Sequence, residues 1–135
     1  MKRLRLIFMC LSLLAFVSSC NDDEPTANVS INEVQSDLGG DVTGDGGSII
    51  RSYSWNNPQA RAEYNMDITA AKGGSFRLVM EDADGNVVSD YTLTRGVGDD
   101  SKYGVSTEGT PGDWTITITL TDFVGDGSFS INPGA

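Results

Sequence analysis

Residues 114 to 121 read Trp-Thr-Ile-Thr-Ile-Thr-Leu-Thr, a strict alternation of apolar and hydroxyl side chains. A period of two puts every second side chain on one face of an extended chain, whereas a helix would scatter them. Trp114, Ile116, Ile118 and Leu120 therefore point one way. Thr115, Thr117, Thr119 and Thr121 point the other, where β-branching suits a pleated surface. The same period runs from residue 60 to residue 70. Ala60, Ala62, Tyr64, Met66, Ile68 and Ala70 share one face, and Arg61, Glu63, Asn65, Asp67 and Thr69 share the other. No stretch from Asn28 onward keeps a helical period. The chain is expected to be all-β, each strand with one dry and one wet face.

The other strands follow from shorter runs. Val29 and Ile31 alternate with polar residues, and Ile49 to Trp55 forms a second strand. Between them, residues 39 to 47 hold five glycines with Asp41 and Asp45, which reads as a long loop. Phe76, Leu78 and Met80 point inward, Asp82-Ala83-Asp84-Gly85-Asn86 turns the chain, and Val87, Ser89, Tyr91 and Leu93 return it. Tyr103 and Val105 give a short strand, Thr110 to Asp113 a turn, and Gly125-Asp126-Gly127 a second hairpin before Phe129 and Ile131. About eight short strands with glycine-rich turns predict a single antiparallel β-sandwich, jelly-roll or Ig-like, over residues 28–135. The order from Ser75 to Ile131 is similar to extracellular β-sandwich modules of the pre-peptidase C-terminal type. That resemblance implies a fold and transfers no functional residue.

The first twenty-four residues carry an address. Lys2, Arg3 and Arg5 precede a run from Leu6 to Val17 that is apolar apart from Ser12, in the order of a secretory signal. A membrane-spanning helix needs about 20 apolar residues, which this run does not reach. Val17, Ser18, Ser19 and Cys20 resemble the lipobox of bacterial lipoproteins: an aliphatic residue, two small residues, then the family's cysteine. The resemblance implies a signal peptide over 1–19, acylation of Cys20, and an acidic tether over 20–27. Asn21, Asp22, Asp23 and Glu24 resemble the export signal of surface lipoproteins of the Bacteroidota. The alternative is a plain solvated tether. The expected location is the outer membrane or cell surface, held by lipid.

Charge and cysteine count narrow the chemistry. Nineteen Asp/Glu face nine Lys/Arg, and three of those nine lie in residues 1–19, so the chain from Cys20 onward carries −13. Such a surface repels phosphate backbones, which argues against nucleic acid as a partner. Cys10 leaves with the signal and the Cys20 sulfur takes lipid, so no disulfide supports the domain. With no histidine and no free thiol, Ser-His and Cys-His nucleophile pairs are absent. Zinc lacks its usual ligands. An enzyme is therefore not expected, although paired carboxylates of a small hydrolase are a conceivable alternative.

Two constellations are candidates for binding. Asp82, Asp84 and Asn86 alternate around Gly85 as oxygens do in calcium loops, but Thr92 stands where a bidentate acid belongs. A structural Ca²⁺ or a metal-free turn both fit, and no other cofactor is implied. Arg51, Tyr53 and Trp55 share a strand face, which suits a glycan platform or a buried core strip. The expected role is a non-enzymatic binding module for a glycan or an envelope protein. The alternative is a structural accessory subunit without its own ligand, which a bare sheet edge would favour. The anchor is directly testable: Cys20→Ala should abolish lipid labelling and release the processed protein from membranes, and membrane retention of that variant would overturn the lipoprotein assignment.

Overall fold

The structure is a computed structural model and describes residues 23–32, 36–95 and 100–135. Within these residues lie six strands: β1 (Ala27–Ile31), β2 (Leu38–Asn57), β3 (Arg61–Glu81), β4 (Val87–Thr94), β5 (Ser101–Val105) and β6 (Gly112–Gly134). They form one antiparallel sheet in the order β1-β2-β6-β3-β4, with β5 also paired to β3. The expected all-β, antiparallel class holds. The count differs: six strands in one sheet stand in place of about eight in a sandwich.

The difference arises because three strands are long and bent. Pairing of β2 with β6 slips between Asp45 and Ile49, and pairing of β3 with β6 slips between Ala70 and Ser75. Each long strand carries one left-handed residue at that level: Gly46 (φ 93°) in β2, Gly74 (φ 77°) in β3 and Asp122 (φ 45°) in β6. Glycine reaches this region freely, and aspartate is among the few other residues that tolerate it. Ser48 stitches two of the bends together, its Oγ accepting the Asp122 N–H at 2.8 Å.

Beyond the bends the sheet doubles back on itself. Trp55 Nε1 donates to the Ser36 carbonyl at 2.9 Å, although a straight strand would separate residues 19 apart by about 60 Å. Likewise Gly109 N–H donates to Ala60 at 2.8 Å, while the adjacent Thr110 N–H donates to Asp82 at 2.9 Å. Residues 60 and 82 flank the two ends of β3, so those ends meet. The dry faces of the two halves bury one cluster that includes Val42, Ile68 and Phe129 from one half and Phe76, Trp114 and Ile118 from the other. Trp55 and Trp114 meet edge to face, with ring centroids 6.0 Å apart.

Three local expectations are corrected. Residues 39–47 are strand, not loop, because the glycines make room for neighbours. A Cβ on Gly44 would lie 2.4 Å from the Phe123 carbonyl oxygen and 2.8 Å from its ring, and one on Gly40 would lie 2.9 Å from the Phe129 ring. Gly125 and Gly127 are likewise interior to β6, with no hairpin between them. At the start of β4 Val88 is buried while Val87 is 57% exposed, since a bulge opposite Met80 and Glu81 inserts Val88 as an extra residue and shifts the alternation.

Glycine placement yields a paired prediction. A Cβ on Gly125 would come within 1.8 Å of the Thr69 carbonyl, whereas one on Gly73 meets nothing within 4 Å. Gly125→Val should cost about 2–4 kcal/mol in chemical denaturation and Gly73→Ala less than about 0.5 kcal/mol.

Candidate functional site

The two sequence candidates land in different surroundings. Asp82 is 5% exposed and lies at the turn between β3 and β4. Its Oδ1 accepts the N–H groups of Asp84 (3.0 Å) and Asn86 (2.8 Å), and its Oδ2 accepts the Thr110 N–H (2.9 Å). The Asn86 amide donates to both oxygens at 3.3 Å. Asp84 Oδ2 accepts the Thr110 hydroxyl at 2.6 Å. A carboxylate ringed by N–H donors is a staple for backbone rather than a seat for a cation, which needs oxygens. Among the described residues no group of three or more His, Cys, Asp or Glu side chains could hold a metal.

The staple joins two loops and sets the charge state of Asp82. Donation from Thr110 chiefly holds its carboxyl below the ordinary value of 3.8, burial opposes this, and the Asn86 and Asp84 bonds add to it. Among the described residues Asn57 and Ser106 are the other buried polar side chains, and both close the same end of the sheet. Asn57 bridges the Arg61 carbonyl and the Gln59 N–H at 3.0 Å each, and the Ser106 hydroxyl accepts the Ala62 N–H at 3.0 Å. Sequence reading missed these ties because Asn57 and Ser106 sit in no motif.

Arg51, Tyr53 and Trp55 do share a strand face, but depth separates them. Trp55 is 5% exposed in the core, Tyr53 is half-buried and Arg51 is exposed. Partial burial pushes the Tyr53 phenol up, and the nearby Arg51 cation pulls it the other way. No continuous exposed aromatic strip results. The opposite face is hydroxyl-rich, with Ser52 and Thr117 hydrogen-bonded at 2.9 Å across the strands.

Two shallow hollows lie among the described residues. One of about 340 Å³ lies at the bend, between Thr69, Ala70, Leu93, Thr94, Arg95 and Asp100. The other, about 320 Å³, lies on the wet face between Asn32, Asp37, Gly39, Asp41, Ser130 and Asn132. In it the Asn32 amide donates to Asp41.

The most distinctive feature is an edge. β1 covers β2 only from Gly40 to Gly44, and β2 from Ile49 to Asn57 pairs with β6 alone among the described residues. These nine residues, Ile-Ile-Arg-Ser-Tyr-Ser-Trp-Asn-Asn, contain no acid. No family model and no curated protein matches the chain.

The lipobox residues Val17, Ser18, Ser19 and Cys20, with Asn21 and Asp22, lie outside the described residues. Asp23 and Glu24 are exposed. The tether enters at the bend, where the Thr26 carbonyl accepts the N–H groups of Asp45 (2.8 Å) and Gly47 (3.0 Å).

The staple predicts an acid response. Because the folded Asp82 carboxyl is held below 3.8, its contribution to stability is full above that value and is lost as pH falls through the lower, folded value. Asp82→Asn should melt roughly 5 °C below wild type at neutral pH, and the gap should narrow as pH falls below 3.8 in thermal melts.

Proposed function

We propose that this chain is a lipid-anchored protein of the outer membrane or cell surface, without catalytic activity, whose doubled sheet is a sandwich-type scaffold that docks a protein partner along a strand edge, the structural accessory role that a bare edge favours. The observation that carries the reading is the edge of β2 from Ile49 to Asn57, which pairs with no second strand among the described residues. An exposed row of strand N–H and C=O groups is a template for one more strand. Glycan recognition draws less support, because Trp55 is spent in the core and sugar rings stack on exposed aromatic faces. The hollows offer polar groups without such a platform.

Orientation supports the same reading. With acyl chains on Cys20 and Thr26 fixed beside Asp45 and Gly47, six residues link lipid to fold, a reach of about 20 Å. The bend then faces the bilayer, and the end stapled by Asp82, Asn57 and Ser106 faces away. Ile49–Asn57 runs between these ends and stays reachable from the side.

A photo-crosslinking side chain at Ser54 tests the reading on intact cells. Protein adducts are expected from Ser54, lost with Ser52→Pro, and absent when the probe replaces Thr115 on the wet face of β6. Adducts of equal yield at Thr115, or saccharide binding that survives Ser52→Pro, would move recognition off the edge.

A further inference from the structure

We propose that the occupant of the β2 edge is a second copy of this chain, the two strands Ile49–Asn57 pairing antiparallel across a two-fold axis near Tyr53. The proposal rests on the edge reading above and names its partner.

Backbone geometry makes the edge competent. Side chains of Ser52 and Thr117 touch directly across the ladder, as do Asn56 and Asp113 at 3.0 Å. Such close pairs are those whose peptide groups point away from the neighbouring strand. The outward set is therefore Ile50, Ser52, Ser54 and Asn56, and the Ile50 carbonyl accepts the Arg51 guanidinium at 3.1 Å. That side chain is the edge's single cation and must swing aside for a strand to dock. No proline or lysine blocks the rest of the stretch, which are the usual devices that keep edges apart.

Charge limits where two copies can meet. From Cys20 onward the chain carries −13, so copies repel over most of their surfaces. Ile49–Asn57 brings no carboxylate of its own to its image, and Asp113 on the neighbouring strand is held by the Asn56 amide. An axis at Ser52 sets Arg51 opposite the partner's Tyr53, and an axis at Tyr53 sets it opposite the partner's Trp55. Either register keeps the two guanidinium groups from facing each other directly. Ile50, 64% exposed on the wet face, gains the partner's Ser54 or Asn56 as a neighbour. The other edges compete poorly. β1 and β5 have five residues each, β4 carries Asp90, and the Val88 carbonyl of β4 already accepts the Thr107 N–H at 3.0 Å. An interface of like surfaces closes as a dimer.

The test uses the full lipidated chain in detergent micelles, with mass measured by light scattering and the Ser54 photo-probe read by mixing tagged and untagged copies. A dimer is expected, with tagged–untagged adducts and self-association that strengthens as salt screens the repulsion. Ser52→Pro, or Ser54→Pro should the first variant lose its wild-type melting curve, should weaken the dimer at least about tenfold. A dimer unaffected by a folded proline variant would overturn the assignment of the edge. A monomer in micelles whose Ser54 probe captures a different protein on intact cells would overturn the second copy and leave the edge reading standing. A monomer with no adduct in either setting would overturn both.

Discussion

Contact among three bends is the constraint on which the rest of the structure depends. A Cβ on Gly74 would lie 2.2 Å from the Asp122 carbonyl oxygen, and Ser48 beside Gly46 bonds the Asp122 N–H. The left-handed residues of β2, β3 and β6 therefore sit at one line, and a change at one must be accommodated by the others. Their reward is the core. Trp114, Phe76, Phe123 and the other fully buried side chains each contribute about 1.5–3 kcal/mol only while the two halves of the sheet face each other. With no disulfide available to the domain, that facing is maintained by packing and bend geometry alone.

The two ends of the doubled sheet are held by different physics. At the bend, backbone approaches backbone closely, and glycine supplies the room. At the far end, strand termini are tied by three buried polar side chains, Asp82, Asn57 and Ser106, each with its partners present. An unpaired polar group at such depth would be costly, so each tie fixes a loop position as well as satisfying a donor or acceptor. Arg77 and Asp90 add a bidentate pair on the wet face at 2.9 and 2.7 Å. Being about half exposed, that pair contributes little to stability and mainly fixes side-chain register between β3 and β4.

Alternation was legible wherever side chains alternate, and it failed where glycine removed them. The threonine run of β6 and the 60–70 run of β3 give faces that match observed burial, with Trp114, Ile116, Ile118 and Leu120 fully enclosed. The glycines at 39–47 and 125–127 carry the opposite meaning from a turn: Gly40 and Gly44 make room for the rings of Phe129 and Phe123, and Gly125 and Gly127 let β6 approach the β3 backbone. A loop and a tightly packed strand can share that composition, and only the cross-strand partner tells them apart. Asp82 shows a similar limit. Its spacing to Asp84 and Asn86 suits both a cation loop and a backbone staple, and what separates them is the Thr110 N–H, brought from 28 residues away. The free edge of β2 was not readable at all, because it depends on β1 ending its pairing at Gly44 rather than on any residue in the edge.

A long bare strand in an acidic chain carries a balance of its own. Strand edges invite open-ended association, which leads to fibres when each added molecule leaves another edge exposed. Here the competing edges are short, acid-bearing or partly covered, so occupying Ile49–Asn57 would consume the one long stretch found among the described residues. The surplus of carboxylates acts in the same direction, since repulsion grows with every further copy while the strand-to-strand gain is made once. On the proposed reading, the acid content keeps the rest of the surface solvated and limits the edge to a single occupant.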